Sequence, residues 1–344
     1  MRLTRRGKAV ATLVVLFLLL GIPAAVGVVY LNSIGVTSSS SPGEAVEVEV
    51  PEGTTMTEVG DLLEEEGVIT SATGFRIASF IQGGDEGIQA GTYQLSTGLS
   101  ARDALERMLE GPEVKFITVT FPEGSWLPEF ADRLDEDTDI KGRDFLRVLE
   151  SGEVNSDILP DDSNNNFEGL LFPSTYQIVE EDTAQTFAQR LVNETEKQLA
   201  NVDTSGVGAM GYSKYEILNV ASMIQAEAGV SQDRGKIARV IYNRLDQGMS
   251  LGIDATVIYA LGERTNSLTA SDLEIDSPFN TRRFAGLPPT PIGAAGAEAI
   301  RAAANPAEGP WLYYVLSDCD GRHAFSVDYN DFLADKADYQ DLTC

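Results

Sequence analysis

Apolar and polar residues alternate in three short stretches of the first half of the chain, and each stretch predicts a β-strand. The predicted strands are Val46–Val50, Gly91–Leu95 and Phe116–Phe121. After each strand the apolar spacing changes to three and four residues, which predicts a helix. These helices begin near Met56, Ser100 and Leu127. The pattern predicts an α+β fold built from small strand–helix units.

A Pro-Glu-Gly turn joins the strand to the helix in two of these units. Pro51–Thr54 is repeated as Pro122–Ser125, and the hydroxyl residue after each glycine can cap the following helix. Small units with this order resemble LysM-type glycan-binding modules, a resemblance that implies sugar binding. The alternative is a tight turn of the kind found in any α+β domain. The second copy can belong to either of two neighbouring domains.

A longer helix with one buried face is predicted over Ser213–Ala228. Glu227 lies on the flank of its apolar stripe, about 20° around the helix axis from Val220. Burial of a carboxyl group there disfavours its ionised form and raises its pKa, so that it can donate a proton near neutral pH. The alternative is a glutamate at the helix end that reaches water past Gly229.

Two further helices are predicted after this one. Ser231 can cap the first, which ends at Gly248, and Asp254 or Thr256 can cap the second. The proline-rich stretch Gly286–Ile292 follows, and it predicts either a stiff wall suited to lining a groove or an ordered surface loop.

The last part of the chain predicts a β-hairpin. Leu312–Leu316 is typical of a buried strand, and a turn at Asp318–Gly321 leads to a second strand that starts at His323. A lone histidine in this position is either a structural group with its hydrogen bonds satisfied or a ligand.

The N-terminal region predicts a membrane anchor. Ala9–Leu31 contains 23 uncharged, mostly apolar residues, which is enough for a helix to span the membrane. Residues 1–8 are basic and are expected to stay in the cytoplasm, which places the rest of the chain outside the cell membrane. A cleaved signal peptide is the alternative. The serine-rich residues 32–45 are predicted to be a flexible linker.

Charge and composition exclude several classes of function. The net charge of −28 opposes binding to nucleic acid. With one histidine, His323, and two cysteines, a Cys/His zinc site is not expected, and no Gly-rich phosphate loop occurs. We therefore expect neither a metal nor an organic cofactor. An external location permits a disulfide between Cys319 and Cys344, and a free C-terminal cysteine is the alternative.

Seven sequence blocks, in this order, resemble the YceG-like (MltG) family of endolytic murein transglycosylases. The blocks are EGLLFPSTY (Glu168–Tyr176), ASMIQAEAGV (Ala221–Val230), KIARVIYNRLDQGMSLGIDATVIYALG (Lys236–Gly262), SPFNT (Ser277–Thr281), GLPPTPI (Gly286–Ile292), ANP (Ala304–Pro306) and the GxHxFS end (Gly321–Ser326). The resemblance implies a LysM-like α+β subdomain over residues 46–112 and a helix-rich α+β catalytic domain over residues 113–344. It also implies association with peptidoglycan polymerases.

The chain departs from the family pattern at four places. Ser174 stands where the family usually has Asp, Gly252 where it has Gln, and Ala255 where it has Pro. Gln225-Ala226-Glu227 replaces the usual Glu-Lys-Glu, which keeps the catalytic position and removes a neighbouring carboxylate. The first three departures concern expected substrate contacts.

The resemblance implies that the chain cuts nascent peptidoglycan strands with Glu227 as its one catalytic glutamate. We expect cleavage of the β-1,4 bond between N-acetylmuramic acid and N-acetylglucosamine, which leaves 1,6-anhydro ends and terminates glycan elongation. Glu227 would act as general acid and then as base. Substrate-binding candidates are Glu168, Asn243, Asp254, Thr256, Asn280 and His323. The alternatives are a two-carboxylate hydrolase using Asp254 or Glu168, and a wall-binding protein without activity.

Overall fold

The computed structural model describes residues 14, 20, 22–36, 43–82 and 88–342. The chain divides into two compact units, Met1–Lys115 and Phe116–Cys344, and each has its own hydrophobic core. The described residues form many helices and three two-stranded antiparallel sheets. This architecture confirms the predicted α+β class.

The first unit packs three helices around one small sheet. Its elements are α1 (Ile22–Ser33), β1 (Ala45–Val50), α2 (Met56–Glu65), α3 (Ala72–Gln82), β2 (Gly91–Ser96) and α4 (Ala101–Leu109). Strand β1 pairs with β2 so that Ala45 lies opposite Ser96. The inner face of this sheet and helices α2, α3 and α4 bury Val48, Leu63, Phe75, Tyr93 and Leu105.

The end of α1 continues directly into this unit. Val36 is buried, and the carbonyl oxygen of Gly35 accepts a hydrogen bond of 2.9 Å from the Ala101 N–H. Of the predicted linker, residues 32 and 33 therefore end a helix and residues 34–36 pack on the core, while residues 37–42 lie outside the described part. Much of the predicted span 9–31 also lies outside it. Among the residues that are described, no helix combines the length and the apolar character needed to cross a membrane.

The second unit begins with the sheet of β3 and β4 and ends with a hairpin. Its helices and strands are β3 (Phe116–Thr120), α5 (Leu127–Asp137), α6 (Gly142–Glu150), β4 (Thr175–Val179), α7 (Ala184–Ala200), α8 (Ser205–Ala209), α9 (Lys214–Glu227), α10 (Arg234–Asp246), α11 (Asp254–Leu261), α12 (Ala297–Ala304), β5 (Tyr313–Leu316), β6 (His323–Ser326) and α13 (Tyr329–Gln340). Helix α9 lies in the core, where Ile217, Val220, Met223 and Ile224 are buried. Helices α10, α11 and α12 pack around it.

The two Pro-Glu-Gly turns have the same local structure. In each copy the glycine adopts a left-handed conformation, with φ of 77° at Gly53 and 81° at Gly124. The following hydroxyl donates to the proline carbonyl oxygen, at 2.7 Å from Thr54 and 2.8 Å from Ser125. Because these hydroxyls bond back into the turn, the helix caps lie one residue later than predicted, at Thr55 and Trp126.

Three smaller predictions about helix starts and burial are wrong. Ser231 begins a short 3₁₀ turn, and α10 starts after Asp233 without a side-chain cap. Ile253 occupies the cap position of α11, so neither Asp254 nor Thr256 caps that helix. Strand β5 is half-buried rather than buried. The side chains of Asp254 and Thr256 bond instead to Arg282 and Thr281.

The hairpin of β5 and β6 forms as predicted, with His323 at the start of β6 and opposite Leu316. Cys319, in the turn of this hairpin, is disulfide-bonded. Cys344, the other cysteine of the chain, lies outside the described residues.

Candidate active site

Glu227 is the last residue of α9, at the point where the buried helix reaches the surface of the core. Ser213 and Glu216 form a capping box at the other end of the helix. Ala228 then turns the chain to an extended conformation, with φ of −76° and ψ of 104°. The helix therefore holds the Glu227 carboxyl group on a rigid support, half-buried among residues from four parts of the chain.

The surroundings of Glu227 favour its protonated form. Burial raises the pKa of the Glu227 carboxyl group and is the largest effect, and the negative charge of Asp254 raises it further. The hydroxyl of Tyr314, the backbone N–H of Ala255 and the charge of Arg282 act in the opposite direction. The net shift is upward, as the position of Glu227 on the predicted helix face suggested. A carboxyl group in this state can donate a proton.

Tyr314 is the closest hydrogen-bond partner of Glu227, and it comes from the hairpin. The Tyr314 hydroxyl donates to Glu227 Oε2 at 3.0 Å. The ring of His323 packs edge-on against the Tyr314 ring, with centroids 5.4 Å apart. Asp233 Oδ2 accepts from the His323 backbone N–H at 2.7 Å and lies 3.1 Å from His323 Nδ1. The His323 side chain is only 5% exposed and lies behind Tyr314.

Asp254 and Arg282 form an ion pair beside Glu227. Arg282 Nε donates to Asp254 Oδ1 at 2.7 Å, and both side chains remain partly exposed. Asp254 is the first residue of α11 and Arg282 lies in the loop after Asn280. The pair places a carboxylate and a guanidinium close enough to Glu227 for both charges to act on its pKa.

Buried polar side chains fix the loop that carries Arg282. The hydroxyls of Thr256 and Thr281 are 2.9 Å apart, and Thr281 accepts from the Ile253 N–H. Asn280 donates to the carbonyl oxygen atoms of Leu273 and Ile275, and its own amide oxygen accepts from the Arg282 N–H at 3.1 Å. Thr256 and Asn280 are both fully buried, so their contacts are with protein groups.

Asn243 and Glu168 form hydrogen bonds with protein groups elsewhere in the second unit. Asn243 donates to the carbonyl oxygen atoms of Gly309 and Trp311, just before β5. Glu168 is 3% exposed; it accepts from the backbone N–H of Leu127, at the start of α5, and from the Tyr259 hydroxyl at 3.1 Å. Burial raises the pKa of Glu168 to about 7.

An open cleft of about 820 Å³ adjoins the end of α9, and Glu227 itself does not line it. Its walls are the second Pro-Glu-Gly turn, one face of α5, the end of α9 and the start of α11. The residues nearest the candidate acid are Ala226 and Ala255. Ile292, the last residue of the proline-rich stretch, also lines the cleft. Pro288 and Pro289 instead line a separate depression of about 560 Å³.

Sequence reasoning missed Tyr314, Arg282 and the part played by the second Pro-Glu-Gly turn in this cleft. Gly124 donates its N–H to the Ala294 carbonyl oxygen, and Ala294 donates to that of Ser125, which joins the turn to the chain just after the proline-rich stretch. The repeat was the available signal for the turn. No group of His, Cys, Asp and Glu residues in the described part of the chain is arranged to hold a metal ion.

Gly229→Ala is expected to weaken the site by moving the hairpin. A methyl group at Gly229 would lie 2.6 Å from the carbonyl oxygen of Gly321, which belongs to the hairpin turn and cannot easily retreat. We expect a loss of about 1 to 3 kcal/mol in the free energy of unfolding, together with lower activity. Urea unfolding measures the first effect. Gly206→Ala, with nothing within 4 Å, is the control and should be neutral or slightly stabilising.

Comparison with known proteins identifies relatives over most of the chain. The sequence profile of the YceG-like family matches residues 48–338. An endolytic murein transglycosylase of Bacillus subtilis is 29% identical over 294 residues, which cover 82% of this chain and 81% of the relative. One from Streptococcus pneumoniae is 27% identical over 83% of this chain, which spans 57% of that longer protein. The crystal structure of a YceG-like protein from Listeria monocytogenes matches with a TM-score of 0.57 and 30% identity, over 85% of this chain and 99% of that one.

Proposed function

The chain belongs to the YceG-like family, and we propose that it is a peptidoglycan lytic transglycosylase with Glu227 as its catalytic residue. The observation that carries this proposal is the placement of Glu227, whose pKa burial raises, beside an open cleft. The relatives named endolytic murein transglycosylases support peptidoglycan as the substrate. The bond cleaved is the β-1,4 bond between N-acetylmuramic acid and N-acetylglucosamine.

Glu227 acts twice in the proposed reaction. The protonated carboxyl group first gives its proton to the glycosidic oxygen as the bond to the muramic anomeric carbon breaks. The carboxylate then accepts the proton of the muramic 6-hydroxyl, whose oxygen attacks that anomeric carbon. The products are a 1,6-anhydro-muramic end and a free 4-hydroxyl on N-acetylglucosamine. No water enters the reaction, and Glu227 ends in the protonated form in which it began.

The same geometry argues against a hydrolase with two carboxylates. Such an enzyme needs a second free carboxylate as nucleophile or water activator. Asp254 is paired with Arg282, and Glu168 is buried against the start of α5. Glu168 is only 3% exposed and does not reach a sugar, and Asp254 Oδ1 already accepts a hydrogen bond from Arg282. In the proposed reaction the muramic 6-hydroxyl of the substrate is the nucleophile, so a second carboxylate is not needed.

The remaining candidates support the site in different ways. We propose that Asp254 and Arg282 contact the sugar chain, because they are exposed beside Glu227. Thr256 and Asn280 hold that loop, Asn243 holds the approach to β5, His323 supports Tyr314, and Glu168 ties α5 to α11. We further propose that the LysM-like first unit binds glycan, that an N-terminal helix anchors the protein outside the cell membrane, and that peptidoglycan polymerases are partners.

Product analysis tests this proposal. Full-length protein is incubated with uncrosslinked peptidoglycan strands, and the new ends are identified by mass spectrometry. Anhydro-muramic ends are expected, each one water lighter than a reducing end. Reducing muramic ends would instead establish a hydrolase. Intact strands, with crosslinked peptidoglycan also left intact, would indicate a binding protein without activity.

A further inference from the structure

The hydroxyl of Tyr314 points at one oxygen of the candidate acid from a half-buried position. It donates to Glu227 Oε2 at 3.0 Å, and burial raises the pKa of Tyr314 well above its usual value. Because Tyr314 therefore stays protonated, its hydroxyl is a permanent hydrogen-bond donor toward Glu227. Nothing in the reaction described above requires this contact.

The ring of Tyr314 packs against two rings of β6, and the hairpin that carries it lies against the end of α9. On strand β5 it pairs with Phe325 of β6, whose ring lies 6.1 Å away. His323 packs against it at an interplanar angle of 84°, and Asp233 fixes both the backbone and the ring of His323. Gly229 and Gly321 are in close contact, so the hairpin turn lies directly against the end of α9. This support restricts the hydroxyl to one position relative to Glu227.

We propose that Tyr314 is a positioning residue, which keeps Oε2 of Glu227 occupied as an acceptor so that the catalytic proton resides on Oε1. The inference rests on the proposed function of Glu227. As the proton leaves Oε1, the bond from Tyr314 becomes a bond to a carboxylate, which is shorter and stronger than one to a neutral acid. Tyr314 thereby stabilises the charge that develops in the first step more than it stabilises the starting state.

Other charged and polar groups also act on Glu227 and Tyr314. Asp254 and Arg282 face it from α11 and its neighbouring loop, with opposing charges, and the Ala255 N–H adds a donor. Arg244 of α10 acts on the Tyr314 side. The Asp233–His323 pair lies on the far side of the Tyr314 ring. None of these groups is changed when the Tyr314 hydroxyl alone is removed.

The test compares Tyr314→Phe with wild type, using uncrosslinked glycan strands and the full-length protein. At saturating substrate, we expect the rate to fall about 10- to 100-fold, the range for losing a hydrogen bond to a charged group. The alkaline limb of the pH–rate profile should move up by about one pH unit, because the lost donor had favoured the ionised form of Glu227.

Two controls make the result specific. Tyr313→Phe removes a hydroxyl from the residue just before Tyr314, whose ring packs against Tyr329 and Phe332. This variant should leave the rate and the pH profile unchanged. Replacing Tyr314 site-specifically by 3-fluorotyrosine keeps the shape of the side chain and makes its hydroxyl more acidic than that of tyrosine. It should move the alkaline limb down, and it serves as the test if Tyr314→Phe does not fold.

The outcomes separate this inference from the proposed function. An unchanged rate for Tyr314→Phe, or a lower rate with the alkaline limb unmoved or moved down, would overturn the positioning role. A disordered Glu227 that becomes exposed to water would produce the downward shift. If Glu227→Gln keeps full activity in the same assay, the proposed function itself fails.

Discussion

Glu227→Gln is expected to lower the transglycosylase rate by about 10³- to 10⁴-fold, near the upper end of what general acid–base catalysis contributes. The amide keeps the shape of the side chain and can still accept a hydrogen bond from Tyr314. It has no proton to give to the glycosidic oxygen and cannot act as base toward the muramic hydroxyl. Because one group serves both steps, its loss removes both. The measurement is the rate of anhydro-end formation by mass spectrometry.

The matched control for this variant is Glu216→Gln, at the opposite end of the same helix. Glutamine preserves the capping box, since its side-chain oxygen can accept from the Ser213 N–H as Glu216 does at 2.8 Å. We expect its activity to stay within about twofold of wild type, as for other surface substitutions. Substantial activity in Glu227→Gln, with urea unfolding unchanged, would show that another residue supplies the proton.

The second large effect concerns stability rather than catalysis, and it comes from Glu168. Burial raises the pKa of Glu168 from 4.5 to about 7. Between these two values the unfolded chain releases this proton while the folded protein keeps it. The contribution of Glu168 to stability is therefore fully present below pH 4.5 and is lost as the pH rises through 7. The complete loss is about 3 kcal/mol in the free energy of unfolding.

Glu168→Gln should abolish this pH dependence, because the amide resembles the protonated acid and cannot ionise. Relative to the variant, wild type should lose about 2 to 3 kcal/mol between pH 5 and pH 8. Urea unfolding followed by tryptophan fluorescence reports on the second unit alone, since both tryptophans, Trp126 and Trp311, belong to it.

The exposed Glu298→Gln, which disrupts only an ion pair with Arg301, is the control and should show no such difference between the two pH values. If the difference in the free energy of unfolding between wild type and Glu168→Gln is the same at pH 5 and pH 8, the pKa of Glu168 is not raised.

Local sequence patterns predicted the helices and strands well where the structure depends on a single helix face or a single turn. Helix α9 was predicted with its buried face, because apolar spacing acts within a few positions. The hairpin with His323 at the start of its second strand followed from alternation and a turn. The raised pKa of Glu227 followed from the same helix geometry.

The partners of the site residues could not be predicted in this way. Thr256 was a substrate-binding candidate, yet its hydroxyl bonds to Thr281, 25 residues further on. Glu168 similarly bonds to the start of α5 and to Tyr259. These pairings depend on how separate helices and loops pack, and no local period encodes them. Tyr314 was missed for the same reason, since in sequence it is one more apolar residue of a strand.

Glu227, the proposed catalytic glutamate, and its partner Tyr314 are 87 residues apart, and they meet only because a hairpin of two four-residue strands docks on the end of a helix. A two-stranded hairpin has little stability of its own, whereas α9 is embedded in the core. Under mild denaturation the hairpin is expected to detach as a cooperative unit before the core opens. The loss of activity would then have its own denaturation midpoint, at a lower denaturant concentration than the unfolding of the core, and a partly denatured molecule would become inactive before it became unfolded.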